Sequence, residues 1–100
     1  MKSIYKYDIP IKDEFTLDLP KGAVFVSFMM QHDNPRAWFM VNTAEPNVEK
    51  RVFRLAGTGH NMNDSDGITL KPLGSVQMSG GSLIFHLLEI KKLQEELGDG

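Results

Sequence analysis

Short runs of aromatic and β-branched residues, separated by turn-forming residues, fill most of this chain and constrain its fold more than any other feature. Such runs, bounded by Pro, Gly, Asn or Asp, are typical of β-strands. Within one of them, Phe15, Leu17 and Leu19 alternate with polar residues, which predicts one buried and one solvent-facing side. Seven such runs predict seven strands, at residues 3–9, 14–19, 23–31, 36–42, 50–57, 71–78 and 82–89.

Two of these runs are apolar at nearly every position. The sequences AVFVSFMM at 23–30 and AWFMV at 37–41 lack the alternation of a half-exposed strand. We expect both strands to be covered on both faces, by a second sheet or by another subunit. Turns are expected at 20–22 and at 33–35, where Pro, Gly, Asn and Asp cluster.

The Gly80-Gly81 pair between two strand-like runs is the clearest local signal. Two glycines suit the central positions of a two-residue type I′ hairpin turn, here flanked by Ser79 and Ser82. That register places Ser75 opposite His86, so these two side chains share a face with Gln77. The same register places Met78 opposite Leu83 and Val76 opposite Phe85.

The last residues differ in pattern from the rest of the chain. Ile90, Leu93 and Leu97 recur at helical spacing, with Lys-to-Glu pairs four residues apart between them. The expected organisation is a single β-rich domain at 1–89 followed by a short helical or flexible tail at 90–100. The expected fold is mainly β: a small antiparallel β-sandwich or barrel of about seven strands with a short C-terminal helix.

Length and charge exclude several classes of protein. One hundred residues make one domain, and the net charge of −2 argues against general nucleic-acid binding. The chain contains no cysteine and no apolar run near the roughly 20 residues that span a membrane. The opening MKSIYKY lacks the apolar core of a signal peptide, so a cytoplasmic protein without membrane contact is expected.

No catalytic or metal-binding constellation is recognisable. The three histidines, His32, His60 and His86, have no ligand-like spacing, and no nucleophile lies beside a base in a known motif. We therefore expect neither an enzyme nor a cofactor or metal site. His86 is more simply interpreted as a structural histidine bonded to Ser75, Gln77 or backbone than as a ligand contact.

The polar stretch GTGHNMNDSDG at 57–67 is the best candidate for a binding site, because long loops in small domains commonly serve binding. Its start, Gly57-Thr58-Gly59-His60, could present backbone N–H groups, a hydroxyl and an imidazole to a phosphate, or could simply end a strand in a bend. The preceding strand carries Arg51 and Arg54, and arginine suits bidentate phosphate recognition. An outward Arg54 paired with an acid across a strand is the structural alternative, and Trp38 could stack on a base or anchor the core.

Three separated motifs, MKSIYKY, EKRVFRLAGTGH and SVQMSGGSLIFHLLE, resemble a family of short phage and prophage proteins. Its members open M-K-x-I-Y-K-Y, carry K-R-x-x-R-x-x-G-T-G-H after a Trp-containing strand, and finish near Q-M-x-G-G-x-L-x-F-H-x-x-E. The resemblance covers about residues 1–89, and the tail from Ile90 departs from it.

The resemblance implies an accessory protein in the cytoplasm of the infected bacterial host. By analogy, small phage proteins without catalytic machinery are often anti-defence factors, including sponges that sequester nucleotide immune signals between subunits. The leading hypothesis is a homo-oligomer that binds a phosphate-containing nucleotide. The candidate ligand-binding residues are Arg51, Arg54, Gly57, Thr58, Gly59, His60, Trp38 and His86. The alternatives are a direct inhibitor or adaptor of a host protein, and a minor virion component.

Overall fold

Seven antiparallel strands form two sheets in the computed structural model, which describes residues 1–59 and 68–92. The strands are β1 (Lys2–Asp8), β2 (Glu14–Pro20), β3 (Val24–Gln31), β4 (Asn34–Asn42), β5 (Val48–Gly57), β6 (Ile68–Met78) and β7 (Leu83–Lys92). The three-stranded sheet has the order β1-β4-β3, and the four-stranded sheet has the order β2-β5-β7-β6. The predicted mainly β fold is confirmed. Of the two predicted architectures, sandwich and barrel, these two separate sheets fit the sandwich.

The core lies between the sheets and is centred on two phenylalanines. Phe39 of β4 and Phe53 of β5 are fully buried, with ring centroids 6.0 Å apart and their planes inclined at 70°. This edge-to-face geometry is the favourable one for aromatic pairs. The alternation predicted for β2 is confirmed, since Phe15 and Leu19 are buried whereas the polar residues between them are exposed.

The four-stranded sheet covers only one face of β3 and β4. On the opposite face, Val24 and Met29 are 62% and 50% exposed, and Ile4 of β1 is 51% exposed. Trp38 and Met40 lie half-buried between them, on the same side of the sheet by register. We call these five residues the outer apolar face. We expected β3 and β4 to be covered on both faces. The four-stranded sheet covers their inner face and leaves the outer apolar face uncovered.

The β6–β7 hairpin has the predicted register. Met78 pairs with Leu83 and Ser75 with His86, and the backbone N–H of Ser82 donates to the Ser79 carbonyl. Gly80 and Gly81 have φ values of 66° and 95°, the positive values that a type I′ turn requires at both central positions. Ser79 also has a positive φ of 53°, so the paired strands end one residue earlier, at Met78 and Leu83.

The turn predicted at 33–35 lies one to two residues earlier than expected. Gln31 pairs with Asn34, and His32 and Asp33 form the connection at φ values of 51° and 65°. Pro35, expected in the turn, is buried in β4 opposite Met30. It lies just past the last β1–β4 pair, where it lacks an N–H to donate and its carbonyl accepts a hydrogen bond from Ile9 N–H.

The helix predicted from residue 90 is wrong at its first residues. Ile90 pairs with Val52 on one side and Leu70 on the other, so β7 continues to Lys92. β7 pairs with β5 on one side and with β6 on the other, and these inter-strand hydrogen bonds outweigh a weak helical pattern. Leu93 and Leu97, which carried the rest of that prediction, lie outside the described residues.

Candidate functional site

An arginine and a glutamate form a bidentate ion pair on the inner face of the four-stranded sheet. Arg51 Nε lies 2.7 Å from Glu89 Oε2, and Nη2 lies 2.9 Å from Oε1. The third nitrogen, Nη1, donates to the Ala23 carbonyl at 2.6 Å, and the guanidinium carbon lies 5.6 Å from the centre of the Phe39 ring. The side chains of Arg51 and Glu89 are only 15% and 5% exposed.

Strand pairing explains why these two residues meet. Phe53 pairs with Glu89 across β5 and β7, and residues two apart on a strand point to the same side, so Arg51 is Glu89's diagonal neighbour. The hydrogen bond that Arg51 donates to Glu89 raises the pKa of Arg51, and burial opposes that rise. The guanidinium is therefore charged, and its fork is already filled by one carboxylate and one carbonyl.

A cavity of about 850 Å³ surrounds this ion pair and is lined by both sheets. Its volume lies within the range of about 300–1,000 Å³ typical of small-molecule sites. We call it the charged cavity. Three cationic side chains and two carboxylates line it from the inner face: Arg51, Lys71 and Lys91 with Glu49 and Glu89. Lys50, Arg54 and Glu14 also border it, but by register they lie on the other face of the sheet. Its lining is thus net positive in a chain whose net charge is −2.

The five cations differ in how they are engaged. Lys50 pairs with Asp18 at 2.9 Å, Arg51 with Glu89, and Arg54 faces Glu14 across the β2–β5 pair. By contrast, Lys71 and Lys91 are exposed, with no hydrogen bond or ion pair to any other described residue.

Register places both lysines beside the ion pair. Lys71 faces Glu89 across β6 and β7, and Lys91 lies two residues further along β7 on the same side. Because Arg51 already neutralises Glu89, these two ammonium groups outnumber the one remaining inner-face carboxylate, Glu49, and supply the cavity's excess positive charge.

A second polar cluster lies on the opposite, outer face of β7. The two ring nitrogens of His86 each contact a hydroxyl: Nδ1 lies 2.8 Å from Ser75 Oγ, and Nε2 lies 2.8 Å from Thr58 Oγ1. The contact with Ser75 is the one that the hairpin register predicts. With both nitrogens engaged inside the sheet, His86 has the surroundings of a structural histidine.

Thr58 and Gly59 form the turn that follows β5. The Thr58 N–H donates to the Ile84 carbonyl at 3.2 Å, and Gly59 has a φ of 89°. Gly57 and Thr58 line a smaller cavity of about 330 Å³ against the β6–β7 turn. The Thr58 amide and hydroxyl are therefore both used within the fold.

The structure separates the residues that we expected in one site. Arg51 and Arg54 line the charged cavity, whereas Gly57 and Thr58 line the smaller one and His86 contacts Thr58. Trp38 lies on the outer apolar face of the other sheet. Gly59 is exposed in the turn, and His60 lies outside the described residues.

Glu89, Lys71 and Lys91 were not among the sequence-predicted site residues. A signal was present for Glu89, which is the one acid in the apolar run LIFHLLE. An acid in such a run needs a buried partner, and an arginine is the residue most suited to supply it.

Two kinds of feature are absent from residues 1–59 and 68–92. These residues contain no group of three or more His, Asp or Glu side chains arranged to hold a metal ion. Within the same ranges there is no helix of the length and apolarity needed to cross a membrane.

These features define a two-sheet antiparallel β protein with a positively charged cavity at one end. The chain belongs to the family described as "Domain of unknown function (DUF7352)", whose model matches residues 1–98. Comparison with the curated proteins and with the solved structures finds no match.

Proposed function

We propose that this protein binds a small anionic ligand, a phosphate-containing nucleotide, in the charged cavity. The observation that carries the proposal is the positive lining of a ligand-sized cavity in an acidic chain. In the context that the sequence resemblance suggests, the ligand is a nucleotide immune signal and the protein is a phage anti-defence sponge. No catalytic step is proposed.

The ligand contacts differ from those expected at first. Arg51 is held by Glu89 and the Ala23 carbonyl, so its role is to keep the cavity wall in place rather than to grip a phosphate through an open fork. Lys71 and Lys91 are the groups positioned to meet an anion, because neither ammonium is engaged with another described residue. Arg54 borders the same cavity but faces Glu14 on the other side of the sheet.

The ligand can be identified by purifying the protein rapidly from infected or expressing bacterial cells, denaturing it by heat and analysing the released small molecules by mass spectrometry. We expect a nucleotide at a fixed ratio to the chain. Calorimetry with cyclic dinucleotides, cyclic trinucleotides and cyclic ADP-ribose isomers then measures its affinity. An empty protein that gives no heat with any of these compounds contradicts the proposal.

Two variants test whether the ligand binds in the charged cavity. Lys71→Ala and Lys91→Ala remove exposed ammonium groups, so the free energy of unfolding should change little while affinity falls about tenfold or more. Lys12→Ala removes an equally exposed lysine outside the cavity lining and is the matched control. Affinity should also fall as salt is raised, because exposed charges are screened.

A second candidate function is favoured by the outer apolar face. Contiguous exposed apolar residues on a sheet mark protein-interaction surfaces, and here they include Val24, Met29 and Ile4. A host protein docked there is the inhibitor or adaptor alternative. Met29→Lys distinguishes the two functions, because Met29 is outside the charged cavity. If this variant no longer captures a protein that the intact chain captures in a pull-down, docking is supported. If its nucleotide binding is unchanged, the first proposal is supported.

A further inference from the structure

Among residues 1–59 and 68–92, no strand pairs with the edge of β1 that faces away from β4. This free edge fits a second copy of the same strand. We infer that two chains associate through antiparallel pairing of β1 with β1 across a two-fold axis centred on Tyr5. The two three-stranded sheets then join into one six-stranded sheet. This inference is independent of the nucleotide proposal, because β1 contributes nothing to the charged cavity.

The most exposed strand of the fold is β1. It lies at the edge of its sheet, pairs regularly with β4 along its whole length, and is exposed at every residue except the half-buried Tyr7. Tyr5 is 43% exposed although it lies on the side that faces the core. A flat, regular edge strand with exposed aromatic and apolar side chains is a template for pairing with another chain.

Hydrogen bonding to β4 shows which backbone groups face the free edge. The Met1 carbonyl accepts from Thr43 N–H, and Ile9 N–H donates to the Pro35 carbonyl. Along an antiparallel strand, residues alternate between bonding one neighbour and the other. Odd-numbered residues of β1 therefore bond β4, and the even-numbered residues direct their N–H and C=O groups outward.

Charge selects one register among those that symmetry allows. A two-fold axis perpendicular to the sheet preserves its faces, so only registers centred on a residue are possible. Pairing centred on Tyr5 uses all seven residues of β1 and sets Lys2 opposite Asp8 of the second copy. Pairing centred on Ile4 would set Lys2 opposite Lys6, and pairing centred on Lys6 would set that residue opposite itself. Like charges directly opposite are destabilising.

The side chains already lie in positions compatible with this register. Lys6 Nζ donates to Gln31 Oε1 at 2.9 Å, which draws its charge across its own sheet and away from the free edge. Asp8 pairs with Arg36 at 2.9 Å but stays 84% exposed, so it can accept a second cation. Tyr5 would meet Tyr5 of the second copy at a non-hydrogen-bonded position, where side chains approach most closely.

Cysteine scanning tests the register, because the chain has no cysteine of its own. Tyr5→Cys places two thiols at facing positions, where Cα atoms about 4.5 Å apart fall within disulfide range. With oxidised glutathione as the two-electron oxidant, we expect a covalent dimer on a non-reducing gel. Ser3→Cys faces Tyr7 of the second copy and should form no covalent dimer on the same gel. Cross-linking through Ile4→Cys or Lys6→Cys instead of Tyr5→Cys would show another register and overturn the inference.

Two further variants test the edge itself. Ile4→Pro removes an outward N–H and leaves the bonds to β4 intact, while Lys2→Glu sets an acid opposite Asp8 of the second copy. Both should be monomeric by light scattering, with circular dichroism like that of the parent chain. Lys12→Glu makes the same charge change outside β1 and should remain dimeric. A parent chain that stays monomeric up to about 1 mM, or a dimer that survives Ile4→Pro, refutes the inference.

Discussion

Two neighbouring residues of β5 form ion pairs of nearly equal length in opposite surroundings. Lys50 points to the outer face and lies 2.9 Å from Asp18, with the two side chains 65% and 63% exposed. Arg51 points to the inner face and lies 2.7 Å from Glu89, and both side chains are largely buried. The comparison shows that distance alone does not set how much an ion pair contributes to stability. Water competes for the exposed Lys50–Asp18 pair and is nearly excluded from the Arg51–Glu89 pair.

The two pairs also serve different ends. The outer pair lies on the solvated face of an ordinary β2–β5 contact. The inner pair joins three parts of the fold, since Arg51 of β5 reaches Glu89 on β7 and the Ala23 carbonyl just before β3. It therefore holds the two sheets in register beside the cavity, and changes to it should be felt in both stability and binding.

The largest effect is expected from breaking the inner pair. Glu89→Gln leaves the Arg51 guanidinium charged and poorly solvated, with an amide in place of its carboxylate. We expect a loss of about 3 kcal/mol in the free energy of unfolding, measured by urea denaturation. The double variant with Met at positions 51 and 89 should recover most of that loss, because no buried charge is left unpaired. A loss below about 1 kcal/mol for Glu89→Gln would mean that water reaches the pair.

An intermediate effect is expected from the polar cluster on the outer face of β7. His86→Ala removes two hydrogen bonds to hydroxyl groups, and the hydroxyls of Ser75 and Thr58 can then bond to water. The expected loss is about 1 kcal/mol by the same urea titration. Ser75→Ala should cost less, since it removes one of the two bonds. A cost for His86→Ala as large as that for Glu89→Gln would show that the outer cluster is as desolvated as the inner pair.

A small effect is expected from the outer ion pair. Asp18→Asn removes the partner of Lys50, which is then solvated by water. The free energy of unfolding should fall by less than about 0.5 kcal/mol, and high salt should abolish the difference. Glu89→Gln should keep most of its cost at high salt, because a buried pair is weakly screened. Equal salt sensitivity of the two variants would contradict the contrast between the pairs.

The last effect is confined to alkaline pH. Burial, with a smaller contribution from Tyr5, raises the pKa of the Tyr7 hydroxyl above its ordinary value of 10.0. Above that pH the unfolded chain loses the Tyr7 proton while the folded chain retains it, so this stabilising contribution is present below about pH 10 and is lost as pH rises further. Tyr7→Phe should show a shallower fall in stability above pH 10. Identical slopes for the two proteins would exclude this burial effect.

Local parts of the fold could be predicted from the sequence, and long-range pairings could not. The β6–β7 register followed from Gly80-Gly81, because adjacent strands joined by a tight turn have almost no freedom in their alignment. The β3–β4 turn was misplaced because two consecutive non-glycine residues, His32 and Asp33, adopt positive φ, which is uncommon even though Asp and His adopt it more readily than most residues.

The candidate site was predicted only in part for the same reason. Arg51 and Arg54 were recognised as cations beside one another in sequence, and both line the charged cavity. That Arg51 is engaged by Glu89, 38 residues away, depends on the pairing of β5 with β7. The helical spacing of Ile90 likewise could not reveal that this residue pairs with β5 on one side and β6 on the other.

The His32–Asp33 connection also offers a practical advantage for the variants described above. Both residues hold left-handed backbone conformations at a solvent-exposed position outside the two cavity linings. Asn and Gly adopt those conformations at lower cost, so His32→Asn with Asp33→Gly should strengthen the hairpin without altering either sheet face. Such a reinforced chain is a compensating background, in which costly changes such as Glu89→Gln can be studied in a protein that remains folded.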